Sequence, residues 1–311
     1  MLAIYLGAGF SKWAAGLPVG SELFDFNVEP FGIREQRKLE RTTSLKLAWD
    51  NTHPGGLAEQ FIAHVLGCHD VCSTEDTIWY VVRRMSDPYV WQEWHAGRPR
   101  RHVLMIDENR KWDRPGVYKT ADFLRQCGAR MSGVVTLNYD LLVEYALGSR
   151  GFNYGITGEI LQGRGPYPVS QWRNPVTLVG HLPLAKLHGS ISWDATGRYT
   201  DGRRGLSGKA LIVPPSPEKH RPMELDDQWN LSKTIIERAS RMIVFGFAFN
   251  DYDQAVLAHL REAGSNLNRI AIIDICSREE AARRLWPSAR VESFQPPPEG
   301  TPGIKAWLAM T

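Results

Sequence analysis

Leu2-Ala3-Ile4-Tyr5-Leu6 runs directly into Gly7-Ala8-Gly9-Phe10-Ser11, so a short apolar run is followed at once by a glycine-rich segment. The five apolar residues predict a short buried strand, and the two glycines after them predict a tight turn whose backbone can approach a ligand closely. Amide groups at the start of a following helix attract a pyrophosphate. The stretch therefore predicts a nucleotide site, although a glycine turn after a strand also occurs without any ligand.

Two common nucleotide-binding motifs do not fit this turn. The dinucleotide fingerprint of dehydrogenases requires a third glycine at position 12, where the chain has Lys12, and residues 24–31 do not resemble the second buried strand of that motif. A Walker-type phosphate loop requires Gly-Lys-Ser/Thr, which occurs nowhere in the 311 residues. The sequence thus disfavours both hydride transfer and a Walker-type nucleotide site.

The composition is that of an ordinary globular protein, with 43% hydrophobic and 23% charged residues. A chain of 311 residues predicts one large α/β domain with an insertion, or two modest domains. The net charge is +3 and the basic residues are scattered along the sequence, so direct nucleic-acid binding is not indicated. No apolar run is long enough to span a membrane, and no basic segment precedes a cleavable hydrophobic stretch, so a cytoplasmic protein is predicted.

The four cysteines predict no disulfide framework. Cys68, Cys72, Cys127 and Cys276 fit a reducing compartment, in which they are expected to be small buried hydrophobic residues. The cluster that contains His64, Cys68 and Cys72 lacks a Cys-x-x-Cys pair, so it favours a helix end over a metal site.

From residue 131 onward, apolar strand patterns alternate with helical patterns. The predicted strands after the first are 132–137, 183–187, 210–213, 241–245 and 269–273, and the predicted helices between and after them are 140–147, 225–239, 251–263 and 278–285. This alternation predicts an α/β fold with a Rossmann-like, doubly wound parallel sheet. Residues 34–130 have mostly helical patterns and are predicted to be an insertion after the first strand. The chain is therefore divided into the first part of a Rossmann-like domain (1–33), a mostly helical insertion (34–130) and the remainder of the domain (131–311).

Polar residues and glycines follow five of the predicted strands. They are Gly7-Ala8-Gly9, Asn138-Tyr139-Asp140, His188-Gly189, Gly246 and Asp274. Ligands of doubly wound sheets bind at the carboxyl ends of the strands, so these residues are expected to meet at one edge of the sheet. Taken singly, each also has a structural explanation: Asp140 can cap the next helix, and Asn138 and His188 can stabilise loop backbone.

With these motifs in view, the chain resembles the sirtuin-like NAD-binding superfamily, and within it the divergent bacterial branch of NAD-consuming enzymes associated with anti-phage defence. The resemblance is carried by residues 7–11 with Gly16-Leu17-Pro18, by residues 136–140, by Lys186-Leu187-His188-Gly189-Ser190, and by residues 245–253. These segments occur in the order of the family. The predicted insertion and the C-terminal tail match none of its motifs.

The resemblance implies that NAD is the substrate and assigns a role to each matching position. Asn138, Asp140 and His188 would be catalytic, with Asn138 and Asp140 lining the nicotinamide and ribose pocket and His188 acting as base at the ribose hydroxyls. The positions implied to bind NAD are Gly7, Ala8, Gly9, Phe10, Ser11, Thr136, Gly246 and Asp274. Asp274 is placed at the adenosine ribose only by its position after a strand.

Departures from protein-deacylating sirtuins narrow the expected activity. The chain lacks the two cysteine pairs of their zinc ribbon, so no zinc or other metal is expected. It has Pro18-Val19-Gly20-Ser21 where their cofactor loop contains a Phe-Arg element. The resemblance therefore implies an NAD+ glycohydrolase that releases nicotinamide and ADP-ribose, as a defence effector.

Two alternatives stay open at this stage: a sensor that binds NAD or ADP-ribose without turnover, and an NAD-dependent protein deacylase. The expected assembly is a homo-oligomer or a complex with a separate defence protein, such as an ATPase, a nuclease or a nucleic-acid-guided protein, because no ATPase or nuclease motif is present in this chain.

Overall fold

The computed structural model describes residues 1–30, 32–68, 70–86, 90–95, 98–104, 115–128, 130–147, 151–154, 182–194, 210–214 and 223–310. Its strands are β1 (Leu2–Leu6), β2 (Val90–His95), β3 (Arg98–Leu104), β4 (Met131–Thr136), β5 (Phe152–Asn153), β6 (Leu182–Lys186), β7 (Gly189–Asp194), β8 (Ala210–Ile212), β9 (Arg241–Phe245), β10 (Arg269–Ile273) and β11 (Arg290–Phe294). Its helices are α1 (Ala8–Ala15), α2 (Gly32–Thr52), α3 (Ala58–Gly67), α4 (Val71–Ser86), α5 (Pro115–Cys127), α6 (Leu142–Leu147), α7 (Asp226–Glu237), α8 (Gln254–Ala263), α9 (Glu279–Leu285) and α10 (Thr301–Ala309).

Seven of these strands form a single sheet in the order β11-β10-β9-β1-β4-β6-β5, and every neighbouring pair is parallel. The first strand lies in the middle, with β4 on one side and β9 on the other. All residues of β1 and β4 are buried, because parallel strands covered by helices have both faces in the core. The predicted α/β fold with a Rossmann-like parallel sheet is confirmed.

Helices cover both faces of the sheet. Gly133 of β4 lies against Ile235 of α7. Gly133 is aligned with Ala3 of β1, which is aligned in turn with Met242 of β9, so these three residues share one face of the sheet. Phe245 is three positions beyond Met242, so it points to the opposite face, where it packs against Phe10 of α1 and Phe123 of α5. The sheet is therefore doubly wound, as the alternation of strands and helices predicted.

One predicted strand lies outside this sheet. Residues 210–213 were expected to continue the alternation, but β8 pairs antiparallel with β7, which begins directly after His188. The pair forms because Gly189 turns the chain with a φ of 84°, and a Cβ at this position would lie 2.0 Å from the carbonyl oxygen of Leu211. The turn thus sends the chain after β6 into a hairpin-like pair at the carboxyl edge.

The C-terminal segment completes the sheet, which the sequence patterns did not predict. β11 extends the sheet beyond β10, and α10 follows it with Ile304 and Trp307 buried. The burial of β11 is irregular, as expected of an edge strand, so its sequence has neither a continuous apolar run nor a clean alternation.

The described residues between 32 and 104 form three helices and an antiparallel pair of strands, β2 and β3. Trp79 on α4 is buried. α4 begins at Val71, and the carboxylate of Asp70 just before it accepts the backbone N–H of Ser73 at 3.1 Å.

The prediction of buried thiols was wrong for three of the four cysteines. Cys68, Cys72 and Cys276 are exposed, and only Cys127 is buried. Cys68 is the C-cap of α3 and Cys72 lies in the first turn of α4, so both occupy helix ends that face solvent. Burial raises the pKa of the Cys127 thiol well above its usual range.

Candidate functional site

The glycine turn after β1 packs directly on the turn after β9. Gly7 donates its N–H to Phe245 and Gly9 donates to the carbonyl of Gly246, both at 2.9 Å. A Cβ on Gly7 would lie 2.4 Å from the Gly246 oxygen, and a Cβ on Gly246 would lie 2.3 Å from the nitrogen of Phe10. Gly246 also has a φ of 66°, which favours glycine. The glycines are therefore required where two strand ends touch, a role that the nucleotide motif alone did not reveal.

The N-terminus of α1 lies at this junction. Gly7 is the N-cap, has extended backbone and brings no side chain to cap the helix, and Ala8 after it is exposed. Such a helix start attracts an anion through its backbone amides and dipole. Phe10 instead turns its side chain into the core, where it packs against Trp13 and Phe245.

Ser11, Asn138 and Asp140 form a hydrogen-bonded group that we call the Ser11 cluster. The side-chain amide of Asn138 donates to the carbonyl of Gly7 at 2.9 Å and to Ser11 Oγ at 2.7 Å. Ser11 Oγ donates in turn to Asp140 Oδ2 at 2.5 Å. Ser11 and Asp140 are buried, whereas Asn138 is half-buried and faces the edge. The cluster joins the loops after β1 and β4, as the convergence of strand ends predicted.

Asp140 also has the structural role that its position suggested. Its Oδ1 accepts the backbone N–H of Leu142 at 2.9 Å, at the start of α6. Thr136 contributes to the same loop, since its Oγ1 accepts the N–H of Asn138 at 3.0 Å and donates to the carbonyl of Leu6 at 3.3 Å. Thr136 is buried, and its hydrogen bond to the backbone of Asn138 holds that residue in place.

A buried ion pair lies beneath the Ser11 cluster. Lys186, at the end of β6, is 1% exposed; its Nζ donates to the backbone carbonyl of Asp140 and to Glu144 Oε1, the latter at 2.9 Å. Tyr154 donates its hydroxyl to the same Glu144 oxygen at 2.7 Å. Buried charges are tolerated only when they are paired in this way, so this lysine fixes the backbone at Asp140.

His188 lies next along the edge, after β6. It is buried, its carbonyl accepts the N–H of Val213 at 2.9 Å, and its ring lies 6.5 Å from the ring of Tyr139. Tyr139 donates its hydroxyl to the carbonyl of the same Val213 at 3.0 Å, which links the loop after β4 to the loop after β6. Burial lowers the pKa of His188 to about 4, so the imidazole is neutral near pH 7.

Asp253 faces His188 and was not among the residues selected from the sequence. It follows β9, in the short 3-10 turn of residues 251–253, and its Oδ1 lies 3.7 Å from His188 Nε2. Burial and the nearby carboxylate of Glu59 raise the pKa of Asp253 to about 7. Residues 245–253 carried part of the family resemblance, but nothing in their pattern distinguished Asp253 from its neighbours as a partner of His188.

Glu59 brings α3 to the same edge. A Cβ on Gly20 would lie 2.3 Å from Glu59 Oε1, so the carboxylate sits against the loop after α1. The next residue, Gln60, donates its side-chain amide to the hydroxyl of Tyr252. A helix far from the glycine turn in sequence thus contributes a charge to the site, and periodicity alone could not show this.

The hydroxyl of Tyr5 adds an unpaired polar group to this region. Tyr5 is completely buried in β1, and its hydroxyl has no hydrogen-bond partner among the described residues. Burial and the Asp253 carboxylate raise the pKa of Tyr5 well above its usual value. A buried hydroxyl without a partner is costly.

Asp274 lies farther along the edge than the other predicted residues. It follows β10, is partly exposed, and accepts the backbone N–H of Cys276 through Oδ1 at 3.0 Å. The preceding residue, Ile273, accepts the N–H of Gly246 at 2.9 Å, so the loop after β10 adjoins the glycine junction. The structure gives no contact between Asp274 and the Ser11 cluster.

In the described parts of the chain, no group of three or more His, Cys, Asp or Glu side chains has the arrangement of a metal site. The helices described are also too short or too polar to cross a membrane.

Comparison with known proteins assigns the chain to a family. A search of curated proteins finds no match. One solved chain, described by the words "Structural Basis for the Mechanism and Regulation of Sir2 Enzymes", is 12% identical with a TM-score of 0.40, over 99% of this chain and 89% of its own length, a likeness too distant to support an argument. A family model described as a SIR2-like domain matches residues 132–294, just over half of the chain. The matched region includes Asn138, Asp140, His188 and Asp253, and the chain belongs to the SIR2-like family.

Proposed function

We propose that the protein is an NAD+ glycohydrolase, which cleaves NAD to nicotinamide and ADP-ribose. The observation that carries the proposal is the placement of the Ser11 cluster and His188 side by side at the carboxyl edge of the sheet in a SIR2-like chain. The start of α1 supports it, because an uncapped helix N-terminus at the same edge suits the pyrophosphate of NAD.

The reaction breaks the bond between C1′ of the ribose and the ring nitrogen of nicotinamide. Nicotinamide leaves as a neutral molecule, positive charge builds on the ribose, and water adds to C1′ and loses one proton. The leaving group is already cationic and needs no general acid. The protein must therefore orient the ribose and water, stabilise the positive charge and accept a proton.

The residues of the edge suit these tasks. Asn138 is half-buried and has an amide that can both donate and accept hydrogen bonds, so it can orient water or a hydroxyl. Asp140 supplies a buried negative charge near the developing cation. His188 is neutral near pH 7 and can accept a proton, a contribution worth on the order of 10²–10⁴ in rate.

The sequence departures noted above disfavour protein deacylation, so water is the proposed acceptor. We further propose that the enzyme acts as an effector of bacterial anti-phage defence, as a homo-oligomer or with a separate ATPase, nuclease or nucleic-acid-guided protein. Light scattering with and without the products of neighbouring genes tests this assembly.

The decisive experiment is nicotinamide release from NAD, with products identified by mass, from the protein alone and with its partner or trigger. Asn138→Ala and His188→Ala should abolish release, whereas Asn230→Ala, an exposed change on α7, should not. Absence of nicotinamide from the parent protein under every condition would reject the proposal.

A second candidate is a sensor that binds NAD or ADP-ribose without cleaving it. It is favoured by the Ser11 cluster itself, in which the Asn138 amide and both carboxylate oxygens of Asp140 already have partners within the protein. Calorimetry that detects binding, followed by recovery of intact NAD, would support the sensor over the enzyme.

A further inference from the structure

His188 and Asp253 face each other from strands that are not neighbours. His188 follows β6 and Asp253 follows β9, and the sheet order places β1 and β4 between those two strands. Their side chains are 7% and 11% exposed, with His188 Nε2 and Asp253 Oδ1 3.7 Å apart. Two ionisable groups have thus been brought together in a nearly dry region, across the ends of the two central strands.

We propose that Asp253 is the positioning residue for His188: its carboxylate accepts the Nε2–H of the imidazole, which leaves Nδ1 unprotonated and able to accept a proton from water or a ribose hydroxyl. This inference rests on the proposed function of the same site. The 3.7 Å separation is longer than a hydrogen bond, and such contacts commonly tighten when the reacting complex forms.

The loop that carries Asp253 is held firmly. It leaves β9 through Gly246 and passes Phe249, which also has a left-handed φ of 55°. Phe247 packs against Tyr5 with ring centroids 5.3 Å apart and against Phe249 at 4.7 Å. Asp253 itself donates its N–H to Asn250 at 3.0 Å. An unusual backbone conformation that packing maintains is a feature typical of functional loops.

The groups around Asp253 explain why it is the member of the pair that titrates. Among the described residues, its titratable neighbours are His188, Glu59 of α3, Tyr5 of β1 and Tyr139 after β4. Burial and Glu59 raise the pKa of Asp253 to about 7, while burial lowers the pKa of His188 to about 4. Near neutrality the carboxyl therefore changes charge while the imidazole stays neutral.

The proton balance of the proposed step is simple. Water or a ribose hydroxyl gives its proton to Nδ1, which converts the neutral imidazole to imidazolium, and the Asp253 carboxylate stabilises that cation without taking the proton. The imidazolium later returns one proton to solvent. Only the ionised form of Asp253 can act in this way, so the rate should fall as pH drops through about 7.

The first experiment needs no turnover. Nitrogen NMR of the imidazole in the full protein without NAD should show the Nε2–H tautomer in the parent at pH 8, and a change of tautomer in Asp253→Asn. Asp122→Asn, an exposed change on α5, should leave the His188 signals unchanged. An unchanged tautomer in a folded Asp253→Asn protein would overturn the proposal, and Asp253→Glu, which keeps the carboxylate, should restore the parental tautomer.

The second experiment is the pH profile of nicotinamide release. The parent should lose activity as pH falls through about 7, and Asp253→Asn should lose on the order of 10²–10⁴ in kcat together with this pH step. Glu59→Gln should move the step to lower pH, because it removes the charge that raises the pKa of Asp253. A step that persists in Asp253→Asn would count against the inference. If the parent releases no nicotinamide but the tautomer depends on Asp253, the proposed function fails and the pairing of the two residues stands.

Discussion

The Ser11 cluster and the pair formed by His188 and Asp253 occupy the same edge of the sheet, but they are built in opposite ways. In the Ser11 cluster, side-chain donors and acceptors meet at 2.5 to 2.9 Å. In the pair, the two side chains are 3.7 Å apart and both have shifted pKa values. The side chains of the Ser11 cluster thus have hydrogen-bond partners without a ligand, whereas His188 and Asp253 are buried without a short hydrogen bond between them.

The sheet accounts for the difference. The Ser11 cluster joins β1 and β4, which are neighbours whose register fixes the position of each strand end. The pair joins loops from β6 and β9, between which two other strands lie. Short-range pairing produces complete hydrogen bonding, while a contact across two strands depends on the exact path of the loops.

The largest expected effect comes from removing the buried ion pair beneath the Ser11 cluster. Lys186→Met leaves Glu144 buried without its cation and releases the carbonyl of Asp140. Loss of one partner of a buried ion pair costs about 3–5 kcal/mol in the free energy of unfolding, which urea denaturation measures. The double variant Lys186→Met with Glu144→Met should recover much of this loss. A single variant as stable as the parent would show that the pair does not support the edge.

The next effect is a pH dependence of stability that belongs to the His188–Asp253 pair. Asp253 has a pKa of about 7 in the folded protein, above its usual value of 3.8, so the folded state binds the proton more tightly. The Asp253 carboxyl therefore contributes stability that is fully present below about pH 4 and is lost as pH rises to about 7, on the order of 4 kcal/mol. Asp253→Asn has no ionisable carboxyl at this position. Its free energy of unfolding should therefore rise relative to that of the parent by this amount between pH 4 and pH 8.

The contribution of His188 to the pH dependence of stability has the opposite sign to that of Asp253, which provides an internal check on the same measurement. Burial depresses its pKa from 6.5 to about 4, so it contributes stability that is lost as pH falls through that range. This term is shared by the parent and Asp253→Asn and cancels in their difference. Asp122→Asn should give a flat difference from the parent, and a flat difference for Asp253→Asn as well would refute the assignment of the titration to Asp253.

The smallest effect sharpens the description of the Ser11 cluster. Ser11→Ala removes the hydroxyl that donates to Asp140 and accepts from Asn138. A buried hydrogen bond to a charged group is worth about 1.5–3 kcal/mol, so the free energy of unfolding should fall by that amount. Ser21→Ala, an exposed change, should stay within about 0.5 kcal/mol of the parent. Equal stability of the two variants would mean that the cluster is not preassembled.

Much of the fold and part of the site were predictable from the chain alone. Continuous apolar runs marked β1, β9 and β10 with correct bounds, because buried parallel strands admit few polar residues. The predicted convergence of Gly7, Asn138 and Asp140 followed from the rule that parallel strands share a carboxyl edge, and the hydrogen bonds between their loops agree with it. The division at residues 33 and 130 and the individual roles of the site residues stay predictions.

Other features could not be read from local patterns. β8 has the apolar character of a sheet strand, yet the turn at Gly189 directs it to β7, since strand composition does not specify a partner. Asp253 has no motif of its own, and Glu59 lies on a helix whose periodicity describes only its buried face. Both residues belong to the candidate site because of contacts with residues that are distant in sequence.

Local sequence patterns were sufficient to predict the sheet strands β1, β4, β6, β9 and β10, the glycine turn after β1 and the polar residues at the strand ends, because hydrophobic periodicity and glycine placement act locally along the chain. Three further relations are visible only in the folded chain: Gly246 has to be glycine because it packs on Gly9, Lys186 donates to the carbonyl of Asp140, and Asp253 faces His188. Contact across the sheet and removal from water set these relations, and both depend on the path of the whole chain.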